Sequence, residues 1–298
     1  SGREPERVVP QLRASIDDLR TRSDHLGNLA EKEVDDLRER LAGVNDGLNV
    51  FQQVYGVNLN NLNETALSNV ITNVLLSQDT AGTSGRQYWF FNGDFVNPEF
   101  DRLDVLTAVI DATARLQNDL TNEAKAVLLD AFNVDVNNIR SSFTRLLDTV
   151  LFQKDVNGTS GRTYWYFNND FGNPQFDRLN LLIQILEAAG FLRSGLSNGA
   201  KNALRDAYAI DVNNLTAETF ATLVGDILFQ KPSANSSEYS FFNGDFDGNP
   251  AFENLDRLNT ALSAVNDFYQ AYLRSSRAKA DAILAIFTHP DTGAALNL

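Results

Sequence analysis

Asn92, Asp94, Asn97 and Asp101 place four oxygen-bearing side chains within ten residues. The same types recur in order at Asn168, Asp170, Asn173 and Asp177, and again at Asn243, Asp245, Asp247, Asn249 and Asp256. A calcium ion takes six to eight oxygens from carboxylates, amides and backbone carbonyls on a flexible loop, so calcium is the cofactor this pattern admits. Asp245-x-Asp247-x-Asn249 comes nearest to a calcium-loop spacing, without the distal Glu of an EF-hand. Paired carboxylates such as Asp94 and Asp101 are also the minimum equipment of a glycosidase-type hydrolase. A plainer reading competes with both. Asn-Gly-Asp is a turn signal, Asn before Pro is a helix cap, and Arg102, Arg178 and Arg257 each follow an Asp and offer a carboxylate a charged partner. An acid pair repeated three times beside an arginine reads as architecture. No catalytic residue is assigned, and the chain is expected not to be an enzyme.

Aromatic side chains precede each acidic stretch. Tyr88 and Trp89, Tyr164 and Trp165, and Tyr239 without a following Trp are the candidate contacts for a ligand or partner, with a glycan as the ligand such rings would stack on. Their competing role is the local core of the loop, and the missing third Trp argues against three equivalent ligand sites. His25 and His289 lie outside the recurring segments. No phosphate loop, nucleophile elbow or zinc motif is present.

These residues sit inside a repeat. Residues 88–103 (YWFFNGDFVNPEFDRL), 164–179 (YWYFNNDFGNPQFDRL) and 239–258 (YSFFNGDFDGNPAFENLDRL) align, with Asn92 and Asn168 separated by 76 residues and Asn168 and Asn243 by 75. Upstream, the segments beginning at Tyr55, Phe132 and Tyr208 match in the same order, as do Leu75-Leu76, Leu151-Phe152 and Leu228-Phe229. A fixed period of this length signals a repeat architecture. Each copy predicts three helices. In copy two the first covers about Asn122 to Phe132, the second carries Phe143, Leu146, Leu147, Val150 and Leu151 on one face, and the third starts at Asn173-Pro174. The same Asn-Pro start is expected at Asn97-Pro98 and Asn249-Pro250.

The expected fold is therefore all-α, with three tandem three-helix repeats of about 76 residues behind a long N-terminal helix. Val34, Leu37, Leu41, Val44, Leu48 and Phe51 form a heptad-like seam in that helix. It reads as a cap on the array or a docking segment. The expected boundaries are 1–50 for the cap, 51–120, 121–195 and 196–275 for the repeats, and 276–298 for a C-terminal helix and tail, with Ala278 to Phe287 able to begin a fourth unit.

Composition limits the partners. The net charge is −14 and the pI about 4.5, a field that repels nucleic-acid phosphates and anionic lipid. There is no Cys, which removes disulfides, thiolate metal sites and a Cys nucleophile. No apolar run reaches the ~18 residues of a membrane span.

The stretch from Asp155 to Trp165 (DVNGTSGRTYW), with Phe152 before it and Phe176 after it, resembles a helical repeat module found in bacterial surface-layer and type-I-secreted proteins. The likeness covers about 30 residues per copy in the first two copies, and the following Asn-x-Asp-Phe-x-Asn-Pro departs from the module's pattern. The resemblance implies an exported protein of the cell surface or extracellular matrix. The expected role is that of a non-catalytic structural or interaction protein, presenting its loops to itself, to another surface protein or to a glycan. The alternatives are a calcium- or glycan-binding module and a hydrolase using loop carboxylates.

Overall fold

A computed structural model describes residues 5–42, 45–78, 88–154, 164–168, 170, 173–246 and 250–286, with the backbone alone at 5–12, 41–42, 45 and 282–286. Among these residues the fold is all-α, without a strand. Helix α1 spans Pro5–Ala42, α2 Asn45–Tyr55, α3 Glu64–Val70, α4 Leu103–Asp119 and α5 Asn122–Phe132. Then come α6 (Ile139–Leu146), α7 (Leu179–Gly195), α8 (Asn198–Tyr208), α9 (Ala217–Thr222) and α10 (Leu255–Ile286). Helices α3, α6 and α9 each widen at their ends into a π turn, over Ile71–Leu75, Leu147–Leu151 and Leu223–Leu228.

Local chemistry sets these boundaries. Thr121 and Ser197 cap α5 and α8 by accepting the Ala124 and Ala200 N–H groups. Just before each cap, Leu120 and Leu196 are buried in extended backbone and break the chain away from the preceding helix. At the other ends of α2, α5 and α8, Gly56, Asn133 and Ala209 take left-handed conformations with φ of 71°, 54° and 57°. Their N–H groups close on the carbonyls of Gln52, Leu129 and Arg205 at 2.8–2.9 Å. Asn58, Asp135 and Asp211 then tie the next turn by accepting the N–H groups of Asn60, Asn137 and Asn213. The π turns close with Leu76 N–H to Ile71 O, Phe152 N–H to Leu147 O and Phe229 N–H to Val224 O, each 2.9 Å.

Packing follows one scheme. Helix α2 lies on α4, α5 on α7 and α8 on α10, while α6 also meets α2 and α9 meets α5. The last two contacts are aromatic. Tyr55 meets Phe143 edge-on at 5.9 Å and Phe132 meets Phe220 at 5.2 Å. Helix α1 lays Ala30, Val34 and Leu37 into the core and packs on α2 and α4. Its Arg38 Nε donates to Leu59 O at 2.5 Å, as Gln117 Nε2 of α4 donates to Val136 O at 2.6 Å. Leu59 and Val136 hold the same place in the upstream motif, so α1 stands where α4 stands for the following segment.

Two expectations change, and the heptad-like seam is divided between α1, described to Ala42, and α2, described from Asn45. Val34 and Leu37 fall in the first, Leu48 and Phe51 in the second, and Val44 lies outside the described residues. The Asn-Pro pairs do not start the third helices, which begin at Leu103, Leu179 and Leu255. In the first two loops the residue after the pair, Glu99 or Gln175, is bonded through its N–H and its carbonyl to Asn92 or Asn168 and is not free to coil. Ala278 does not open a separate helix, since α10 runs without a break to Ile286. Ser275 and Ser276 stand at the positions of Leu120-Thr121 and Leu196-Ser197, counted from the shared Asp-Arg-Leu. Without a buried leucine to pull the chain away, the helix continues.

Candidate functional site

The candidate residues occupy the segments joining each π turn to the next long helix. Two backbone clamps hold every segment. Trp89, Trp165 and Ser240 donate their N–H groups to Ser77, Gln153 and Gln230 carbonyls at 3.2, 3.1 and 2.8 Å, fixing the aromatic stretch to the end of the π turn. Further on, Asn92, Asn168 and Asn243 donate their N–H groups to Glu99, Gln175 and Ala251 carbonyls at 3.0, 3.0 and 3.1 Å. Between those bonds the chain makes a closed turn.

The Asn and Asp side chains fill that turn from inside. Asn92 Oδ1 accepts the Asp94 and Glu99 N–H groups at 3.0 and 3.4 Å, while its Nδ2 donates to Asn97 O at 3.2 Å. Asn168 repeats this with Asp170, Gln175 and Asn173 at 3.1, 3.3 and 2.9 Å. Asp94 Oδ1 accepts the Val96 and Asn97 N–H groups, and Asp170 Oδ1 that of Asn173. In the third segment Asn243 Oδ1 accepts the Asp245 N–H at 3.0 Å. Gly93 and Gly244, with φ of 78° and 83°, supply the left-handed turn that lets the Asn reach over its own backbone. Asp247 and Asn249 lie outside the described residues.

The loop side chains are nonetheless largely open to solvent. Asp94, Asn97, Asp101, Asp170, Asn173, Asp245 and Asp256 are exposed, and Asp177 is half-buried. Among the described residues no three His, Cys, Asp or Glu side chains converge as a metal cluster would require. Arg102 and Arg178 are buried at the heads of α4 and α7, whereas Arg257 is exposed. Arg178 also lies 5.8 Å from the centre of the Phe246 ring, which brings the third loop against the head of α7.

The rings pack among themselves. Phe91 is fully buried and meets Tyr88, Phe95 and Phe100 at 5.6, 5.0 and 5.4 Å. Phe167 is held by Phe152, Tyr164 and Phe176, and Phe242 by Phe229, Tyr239, Phe246 and Phe252. Trp89 stacks flat on Phe90 at 4.9 Å and Trp165 on Tyr166 at 5.0 Å. Trp165 is only 8% exposed, so its ring is packing surface rather than an open platform. Each indole Nε1 is buried with no hydrogen-bond partner among the described residues. Lys154 and Lys231 sit over Tyr164 and Tyr239 at 5.7 and 5.0 Å. What stays open at the rim of the first loop is Phe95 and Val96, both exposed, and sequence reading did not single them out. Their signal was an apolar pair at the tip of an otherwise polar turn.

Comparison with protein-family models, with curated proteins and with solved structures gave no match.

Proposed function

We propose that this chain is a non-catalytic structural or interaction protein, an array of three helical units behind a capping N-terminal helix, which presents its loops to a partner or to further copies of itself. The observation that carries this reading is the shared clamp: Asn92, Asn168 and Asn243 all fold back on their own turn with the same bonds. Side chains spent on holding backbone are poorly placed for proton transfer, and a loop stiffened in this way suits display. The acidic charge, the lack of Cys and the likeness to surface-layer modules support an extracellular or cell-surface setting.

A second reading is calcium binding at the loop rims, favoured by the exposed carboxylates of Asp94, Asp170 and Asp245. Size-exclusion chromatography with light scattering, in millimolar calcium and again in chelator, separates the two. A shift to large assemblies that appears only with calcium supports metal-linked assembly through the loops. Identical profiles, with unchanged thermal stability, make the loops structural and remove the calcium reading. Turnover of a glycoside substrate that Asp94→Asn and Asp101→Asn abolish without unfolding the chain would overturn the non-catalytic reading.

A further inference from the structure

The asparagines that clamp the three loops do not have the same neighbour. Asn92 and Asn243 are followed by glycine, Gly93 and Gly244, and Asn168 by Asn169. A side-chain amide followed by glycine is the one most open to attack by its own backbone, because glycine puts no Cβ beside the attacking nitrogen. Gly93 and Gly244 are exposed, with φ of 78° and 83°, and their N–H groups make no hydrogen bond among the described residues. In all three loops the side-chain carbonyl oxygen of the Asn accepts the N–H two residues on, at 3.0–3.1 Å. Such a donor stabilises charge gathering on that oxygen during attack. The amide under attack is thus held alike three times, and the next residue decides.

The reaction is loss of the side-chain amide. The Gly93 nitrogen gives up its proton to water and bonds to Asn92 Cγ; the Cγ–Nδ2 bond breaks, ammonia leaves, and the two residues share a five-membered imide. Water then opens the imide at either carbonyl. One product is aspartate, and the other is isoaspartate, with the chain rerouted through the side chain. Closing this ring takes the asparagine out of helical dihedrals, which separates the loops from the pair Asn198-Gly199. That pair lies in the first turn of α8, and a Cβ on Gly199 would run into the Asn266 side chain, so the backbone there has little room to rearrange. Asn157-Gly158 lies outside the described residues.

Each product undoes the clamp. Asn92 accepts through Oδ1 and donates through Nδ2 to Asn97 O at 3.2 Å, a double role that an amide fills and a carboxylate cannot. Aspartate sets a carboxylate oxygen against that carbonyl, with the Asp94 carboxylate two residues on. Isoaspartate adds a backbone atom to the turn that the Asn92 N–H closes on Glu99 O at 3.0 Å. Asn243 closes the third turn on Ala251 O in the same way, at 3.1 Å. We infer that Asn92 and Asn243 are sites of spontaneous deamidation, that Asn168 is not, and that conversion opens the first and third loops while the second stays closed. This holds whatever the loops bind.

Ageing the full chain in warm, mildly alkaline buffer, followed by peptide mapping by mass spectrometry, tests it. Acid forms of the peptides carrying Asn92 and Asn243 are expected to accumulate, with isoaspartate identified by an isoaspartyl methyltransferase assay. The Asn168 and Asn198 peptides should stay amides over the time in which half of Asn92 converts. Exchanging neighbours isolates the cause. Gly93→Asn, which gives the first loop the neighbour found in the second, should hold Asn92 as the amide, and Asn169→Gly should start conversion at Asn168. Amide hydrogen exchange within residues 88–103 should rise in the aged chain and in Asn92→Asp, while exchange within 164–179 should not. The inference is overturned if Asn92 and Asn243 convert no faster than Asn168 or Asn198, or if Gly93→Asn leaves the rate at Asn92 unchanged. It is also overturned if Asn92→Asp keeps the exchange of the natural chain.

Discussion

Helices α7 and α10 both carry the Asp-Arg-Leu that follows an Asn/Asp-rich loop but differ in what surrounds them. Helix α7 is flanked by α4 and α10 and rests on α5, and ten of its residues are buried. Along α10 only Leu262 is buried among the residues whose side chains are described, although the helix carries Val265, Phe268, Tyr269, Tyr272 and Leu273. Apolar character alone therefore does not assign a helix face to the core; a neighbour must be present to cover it.

The largest test of that contrast is Phe167→Ala against Phe268→Ala. The first empties a ring held by three aromatic neighbours and should cost about 3–5 kcal/mol. The second, measured in dilute protein by urea unfolding, should change the stability of the single chain by less than ~0.5 kcal/mol. Similar losses would mean that the face of α10 is as much part of the core as the ring cluster around Phe167 that precedes α7.

A methyl group tests the crossing of α7 over α5. A Cβ on Gly190 would lie 2.9 Å from the Ala124 backbone N, so Gly190→Ala should destabilise by about 1–3 kcal/mol. Ala114 holds the corresponding place in α4. If Gly190→Ala leaves the unfolding midpoint unchanged, the close approach is not what positions α7.

The ends of α5 and α8 differ in the residue that must turn left-handed. Asn133 suits φ of 54°, whereas Ala209 at 57° carries a Cβ clash. Ala209→Gly should raise stability by about 1 kcal/mol in thermal unfolding. A neutral or lower value would show that the strain is relieved elsewhere.

The smallest effect concerns a carboxylate. Glu187 accepts the Thr121 N–H and hydroxyl at 2.6 and 2.9 Å, but Asp111, its counterpart in α4, has a buried Oδ1 with no hydrogen-bond partner among the described residues. Burial raises the Asp111 carboxyl above its ordinary range. The folded state then binds this proton more tightly than the unfolded chain, so the contribution is favourable at low pH and is lost as pH rises through the raised value. Asp111→Asn should therefore gain relative to the natural chain as pH goes from about 4 to 7. A difference that is flat with pH would show that Asp111 titrates as it does in the unfolded chain.

Much of this was legible in one dimension. The span Asn122–Phe132 of α5 follows from its caps and apolar spacing, and all five apolar residues assigned to one face of the next helix are buried. The turn role of Asn92 and Asn168 follows from Asn and Asp beside Gly, because those side chains bond to backbone a few residues away. The π turns left no trace, since one extra residue in a helical turn does not alter an apolar pattern enough to see. The helix starts after Asn-Pro were misread because a local cap signal yields when the same backbone is already clamped by Asn92 or Asn168.

The sequence by itself determined the recurrence of the loop motif, by direct comparison along the chain, and the helices' apolar faces and the chemistry of the turns, which depend on residues less than about ten positions apart. The tertiary structure decided which of those faces are covered. Trp165 became packing because its ring stacks on Tyr166 and its backbone N–H is held by the Gln153 carbonyl just after the π turn. Phe268 stayed bare because burial is a property of two surfaces, and a single helix specifies only one of them.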